Sequence, residues 1–304
     1  MDSYEVLTSD GWRLAVNRLA HSGPRRGAVL MLPAMMVDAR TLDRPAGAGL
    51  GSCLAAYGFD VHIADLRGHG GSGPTVSEGG DWCYDDLVFR DVPALVEAVR
   101  ERDPGVVWVL GHSLGSHVSL AAAAAGAHTF APDGHVLIAG NVWMPSLEGS
   151  RRMRLKKHAI MRLFRRTVSL IGHWPSRAFR MGPADESLPY VQDITRFWFN
   201  DEWGSRDGRY DYGASMCEVA GPVLEVCGAG DRLLSSIEGT RAFIEQLGPG
   251  RAEVWYLREG DLGLTWNPTH MGLVTDSRSE PIWHAIARWM VERTTPSGAS
   301  SNDQ

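Results

Sequence analysis

The sequence predicts an α/β protein: a mostly parallel central sheet flanked by helices, with a mainly helical cap inserted late in the chain. Three observations carry this. Short, continuous apolar runs recur along the 304 residues, helical stretches separate most of them, and the alternation stops between about Asn141 and Ala220 before resuming at Gly221-Pro222-Val223. Alternating strands and helices imply parallel pairing with helices on both faces.

The elements follow in order. Tyr4 to Leu7 and Trp12 to Leu19 alternate apolar and polar residues around Asp10-Gly11, which predicts an opening β-hairpin. Ala28 to Leu32, Val61 to Ala64, Val106 to Leu110, Val136 to Ala139, Val223 to Val226 and Val254 to Leu257 read as strands buried on both faces. Helical patterns run from Asp85 to Val99, Ser113 to Gly126, Ser236 to Leu247 and Glu280 to Val291. Core is therefore expected over 1–140 and 221–293, with a cap over 141–220. The small, polar stretch from Thr294 to Gln304 is expected to be a disordered tail.

Composition narrows the function classes. The chain is 44% hydrophobic and 22% charged, with a formal charge of -6, which argues against nucleic acid as the main partner. No stretch is long and apolar enough to span a bilayer, and no secretory leader is legible, so no integral membrane contact and a cytoplasmic location are expected. Cys53, Cys83, Cys217 and Cys227 form no metal-ligand spacing, and the histidines form none either. Neither a metal nor a cofactor is implied.

The chemistry centres on Gly111-His112-Ser113-Leu114-Gly115, which follows a predicted strand and opens a predicted helix. Strand, sharp turn and helix form a nucleophile elbow. The turn lifts the Ser113 hydroxyl above the sheet, and a side chain at 111 or 115 would strike a neighbouring element. A serine hydroxyl needs a base. His270, in the loop after the last strand, fills that role better than His284, which reads as a residue on the face of the final helix. The acid should follow the preceding strand. Asp231, in the Gly-rich turn after Val226, meets this, with Asp261 as the rival. Acyl transfer also needs two oxyanion donors. Leu114 N–H is one. Pro33 has no N–H, so the other is Met35 or Ala34, with Met35 preferred. Met36, His112 and Trp143 are expected in the substrate pocket.

Two further stretches need a reading. Asp65-Leu66-Arg67-Gly68-His69-Gly70-Gly71-Ser72-Gly73 resembles a phosphate loop but lacks the following Lys-Ser/Thr, and reads as a flexible connection near the nucleophile. Arg151 to Arg166 carries eight Lys/Arg, with Met153, Ile160, Met161, Phe164 and Val168 at helical spacing. This is a basic amphipathic helix, expected to lay its apolar face over the pocket with its charges in water. Trp143, Trp174, Phe197, Trp198, Phe199 and Trp203 concentrate in the cap, where most should be packing and one or two could line a pocket.

With Ser113, Asp231 and His270 in the order Ser, Asp, His, the chain resembles the α/β-hydrolase superfamily over nearly its whole length. The resemblance rests on Asp65-Leu66-Arg67-Gly68-His69-Gly70, Gly111-His112-Ser113-Leu114-Gly115 and Gly230-Asp231 together. It also resembles a narrower group of bacterial predicted hydrolases that share the Pro33-Ala34 start, the segment Gly172-His173-Trp174-Pro175, and a His-x-Gly base motif before a Trp-rich final helix. Haloalkane dehalogenases and epoxide hydrolases carry aspartate where this chain has Ser113. The resemblance implies an esterase-like fold and triad, not a substrate. The expected activity is hydrolysis of a small carboxylic ester, thioester or lactone through an acyl-Ser113 intermediate. Acyl transfer or rearrangement in specialised metabolism is the alternative, and a non-catalytic binding module is the third reading. The expected partner is a small apolar or aromatic molecule, with no nucleic acid; a homodimer is compatible with the sequence.

Overall fold

The computed structural model describes residues 2–125 and 131–294. Eight strands form one sheet: β1 (Asp2–Leu7), β2 (Arg13–Leu19), β3 (Gly27–Leu32), β4 (Phe59–Ala64), β5 (Val107–His112), β6 (Gly134–Ile138), β7 (Val223–Gly228) and β8 (Ala252–Leu257). Their order is β1-β2-β4-β3-β5-β6-β7-β8. β2 pairs antiparallel with β1 and with β4, and the others pair in parallel.

The central strands read as unbroken apolar runs because both faces are covered. In β3, Ala28, Leu30 and Leu32 join the core on one side, while Val29 and Met31 join the other. Helices Val92–Arg102 and Leu114–Ala124 cover the first side, and Leu50–Ala56 and Glu280–Arg293 the second. β8 departs from the expectation: it is half-exposed, because it is the sheet's edge.

The chain leaves β3 toward β4 on one side and returns to β5 on the other. Such a reversal opens a crevice at the carboxyl ends of the two strands. Two segments meet there, Pro33–Met36 after β3 and Ser113 after β5.

The predicted helix over 85–99 is interrupted. Tyr84–Asp86 is one turn, Leu87–Asp91 is π-helical, and the α-helix proper starts at Val92, where Pro93 can supply no N–H to a continuous ladder. Gly126, the expected end of the helix after Ser113, lies outside the described residues. So do 295–304 of the expected tail. Thr294 belongs to the fold: it is buried, and its hydroxyl accepts a hydrogen bond from Trp108 Nε1 at 3.0 Å.

Between β6 and β7 the chain forms two helices, Arg151–Ile171 and Leu188–Asn200, and a small ribbon pairing His173–Trp174 with Glu186–Ser187. The first helix buries Met161, Phe164 and Val168 as its spacing predicts. It also buries Lys157, paired with Glu148, and leaves Leu155, Leu163 and Leu170 exposed. No described helix is long and apolar enough to cross a membrane.

Candidate active site

Ser113 sits between β5 and the helix Leu114–Ala124 with φ 53° and ψ -110°. Positive φ is costly for a serine and persists only where its surroundings enforce it. Here they do. A Cβ at position 111 would lie 2.3 Å from the Gly115 carbonyl carbon, and one at 115 would lie 2.3 Å from Leu32 O. Two further bonds hold the elbow, Ser113 N–H to Ile138 O at 2.9 Å and Gly115 N–H to Pro33 O at 3.2 Å.

His270 approaches from the loop after β8. Its Nδ1 lies 2.5 Å from Asp231 Oδ2. The Asp231 carboxylate also accepts the N–H groups of Leu234 at 3.0 Å and Ser235 at 3.1 Å. Burial pushes the Asp231 pKa up. The His270 hydrogen bond and charge, with the two amides, outweigh it and hold the carboxyl below its ordinary value. The glycines of Gly228-Ala229-Gly230 let the two loops touch: Gly230 N–H donates to Pro268 O at 2.9 Å, and a Cβ at 228 would lie 2.2 Å from that same oxygen. The rivals lie elsewhere. Asp261 closes a turn on Arg258 N–H, and His284 packs near Cys53 on the final helix.

Ser113 and His270 open on one cavity of about 230 Å³. Met35, Met36, Met161, Met181 and Met271 line it, with Phe164, Phe197 and Trp143. Among the described residues, its lining contains no carboxylate and no Lys or Arg side chain. Leu114 and Met35 both line the cavity, and neither N–H donates to another described residue. Of the expected pocket residues, Met36 and Trp143 line the cavity and His112 does not. His112 is fully buried, and its Nε2–H donates to the His270 carbonyl at 3.1 Å. Burial, then the charge of His270, lowers its pKa to about 3, so it stays neutral and positions the His270 loop.

The loop after β3 has an anchor that the sequence did not reveal. Met36 has φ 65°, its N–H donates to Glu186 Oε1 at 2.6 Å, and its carbonyl accepts Ala184 N–H at 3.1 Å. Both partners come from the inserted segment, and Glu186 lies 150 residues away. Glu186 is fully buried and also meets His69 Nε2 at 3.1 Å, while His69 Nδ1–H donates to Arg67 O at 2.8 Å. Far from being a flexible connection, the 65–73 stretch is pinned. Asp65 accepts Ala39 N–H at 2.6 Å and Gly71 N–H at 2.8 Å, and buried Arg67 pairs with Asp91. Among the described residues, no group of three or more His, Cys, Asp or Glu is placed to hold a metal ion.

An eight-stranded, mostly parallel sheet with a serine elbow at its switch point, and an Asp–His pair arriving from the loops after β7 and β8, defines the α/β-hydrolase fold. The family described as serine aminopeptidase, S33 (Hydrolase_4), matches residues 23–259, and the chain belongs to it. Triacylglycerol lipase 2 of Arabidopsis thaliana is 30% identical over 135 residues, 40% of this chain and 32% of that protein. Human lysosomal acid lipase/cholesteryl ester hydrolase is 28% identical over a similar segment, 34% of its length. The chain thus matches about a third of the curated relatives' length. Among solved structures, a soluble variant of Saccharomyces cerevisiae monoglyceride lipase superimposes with a TM-score of 0.64 at 17% identity, covering 97% of both chains. A thermophilic esterase from Thermogutta terrifontis gives 0.60 at 16%, covering 97% of this chain and 100% of its own. These likenesses concern the fold.

Proposed function

We infer that the protein is a serine hydrolase of carboxylic esters, acting through an acyl-Ser113 intermediate. The observation that carries this reading is the His270–Asp231 pair opening on the same apolar cavity as Ser113. Asp231 holds His270 with its proton on Nδ1, which leaves Nε2 free as base. Nε2 takes the Ser113 proton as Oγ attacks the ester carbonyl carbon. The oxyanion rests on the N–H groups of Leu114 and Met35. The C–O bond then breaks, and His270 returns the proton to the leaving alkoxide. Water repeats the sequence, releasing the acid and restoring Ser113. The inserted segment 141–220 acts as a cap that closes the apolar site.

The family's description names an aminopeptidase, which must meet a substrate ammonium group. The cavity lining holds no carboxylate to do so, and this favours a neutral ester. The test is Ser113→Ala against p-nitrophenyl esters, with fluorophosphonate labelling of the wild type. The variant is expected to lose turnover and the wild type to label at Ser113. Undiminished turnover in the variant overturns the acyl-serine mechanism, and an unlabelled wild type with no turnover returns the chain to a binding role.

A further inference from the structure

The cavity is apolar but for a few atoms, and one of these is fixed in direction. His117 lies one helical turn past Ser113, on the helix Leu114–Ala124, and lines the cavity. It is 7% exposed. Its Nδ1 is 2.8 Å from Tyr84 Oη, and Tyr84 Oη is 3.2 Å from Trp203 Nε1. An indole nitrogen can only donate, so Trp203 donates to Tyr84. Tyr84 is fully buried, and among the described residues His117 Nδ1 is the only acceptor for its phenolic proton. The phenol therefore donates to His117 Nδ1. Burial pushes the Tyr84 hydroxyl well above its ordinary pKa, which keeps that proton in place, and burial lowers His117 to about 3, which keeps the imidazole neutral. A neutral imidazole that accepts at Nδ1 carries its hydrogen at Nε2. His117 Nε2 has no acceptor among the described residues. Unlike the two nitrogens of His135, it is not sealed within the protein. His117 lines the cavity, and Nε2–H is the one hydrogen-bonding group of its ring that is left without a partner among the described residues.

We propose that His117 Nε2–H is a substrate-recognition donor, and that the preferred substrate carries a second, neutral oxygen acceptor besides the ester that reacts at Ser113. A ketone, ester or ether oxygen in the acyl or alcohol chain meets the requirement. A carboxylate fits less well, because among the described residues no Lys or Arg lines the cavity to receive its charge. A plain hydrocarbon chain would bury the N–H without a partner, at a cost that a chain with an oxygen avoids. The tautomer is set from behind, by Trp203 acting through Tyr84, so Tyr84 is a positioning residue for this contact.

Only the kinetic arm of the test rests on acyl-Ser113 chemistry. p-Nitrophenyl hexanoate is compared with its 4-oxo and 5-oxo counterparts, and pentyl acetate with 3-oxopentyl and 4-oxopentyl acetate. At one position the oxo ester is expected to exceed its methylene partner in kcat/KM by about tenfold. That ratio should collapse toward one in His117→Phe and fall in Tyr84→Phe, whereas His117→Gln, which restores an N–H, should recover part of it. Calorimetric Kd ratios for the same pairs on Ser113→Ala give the selectivity without turnover, so a failure of the hydrolase reading is distinguished from a failure of this one. Nitrogen-15 shifts should place the His117 proton on Nε2 between pH 5 and 9. No oxo preference in either series, a preference that survives His117→Phe, or an Nδ1–H tautomer overturns the proposal.

Discussion

Glu186 accepts the Met36 N–H at 2.6 Å, so a residue of the inserted segment holds the loop that faces Ser113. Ala184 N–H closes the same clamp on the Met36 carbonyl at 3.1 Å. Met36 alone would relax from φ 65°, since a β-unbranched residue gains about 1 kcal/mol or more on leaving the left-handed region. Met35, its neighbour, lines the cavity, and its N–H has no partner among the described residues. Glu186→Ala should release the loop and lower kcat on p-nitrophenyl esters by about 10²-fold, the scale of a lost oxyanion donor, with KM changed much less. Glu186→Gln keeps an acceptor for Met36 and should fall between. Steady-state kinetics within threefold of wild type for Glu186→Ala would show that the clamp does not serve the oxyanion.

The same carboxylate sets a pH window for stability. Burial alone would lower the His69 pKa, but the charge and hydrogen bond of Glu186, with the Arg67 carbonyl and Asp65, raise it to about 9. The folded state therefore holds this proton more tightly than the unfolded chain, whose histidine titrates near ~6.5. The stabilisation is fully present below that value and is lost as pH rises through 9, amounting to about 3 kcal/mol. Urea unfolding of wild type and His69→Gln at pH 6 and pH 9 checks this. The gap between the two proteins should shrink at the higher pH, and a constant gap counts against a charged His69.

Much of this was legible in the residues, and the reason is locality. The elbow at Ser113 declares itself in five consecutive residues, because the glycines are dictated by contacts within one strand–helix turn and with β3. Asp231 and His270 were legible because each follows a strand whose order is fixed by chain direction. Glu186 was not. It lies in a segment without sheet periodicity, and only the folded insertion brings it to Met36. His112 was misjudged for a similar reason: its place beside Ser113 suggested the pocket, but an elbow turns neighbouring side chains in different directions, and His112 points at the His270 carbonyl. The π-turn at Leu87–Asp91 and the buried Lys157 likewise depend on tertiary partners.

His135, in β6, is fully buried, and among the described residues both its ring nitrogens lack partners. Burial lowers its pKa to about 4. The unfolded chain binds this proton more readily, so the stability tied to neutral His135 is present above about pH 6.5 and is lost as pH falls through 4. His135→Leu removes both the titration and the two unpaired nitrogens, each costing about 1–3 kcal/mol to bury. The variant should be at least as stable as wild type at pH 7 and should unfold at lower pH. His112 and His117, held near 3, keep part of the acid limb in either protein. Circular dichroism during acid titration reads the shift, and an unchanged midpoint would mean that His135 does not titrate on unfolding.

Lys157 and Glu148 form an ion pair within the insertion, with Lys157 wholly buried. The Lys157 ammonium also lies 4.5 Å from the Trp143 ring, and Trp143 Nε1 donates to Leu234 O at 2.8 Å. Leu234 N–H in turn holds Asp231, so the pair is tied to the loop that carries Asp231 and meets His270. Burial pulls the Lys157 pKa down and Glu148 offsets this only in part, which makes the lysine dependent on its partner. Removing one charge from such a pair strands the other, at about 3–5 kcal/mol, whereas replacing both by apolar residues of similar volume is often neutral. Lys157→Met alone should therefore lower stability by about that amount and reduce kcat by loosening Trp143 above Leu234. Lys157→Met with Glu148→Leu should recover most of the stability. If kcat recovers with it, the pair acts only by keeping the insertion folded. If kcat stays low while Tm returns, the cation beneath Trp143 is what holds the Asp231 loop in register with His270. Denaturant unfolding and steady-state kinetics on the three proteins separate the two outcomes, and a single variant as stable as wild type would show that the pair holds neither.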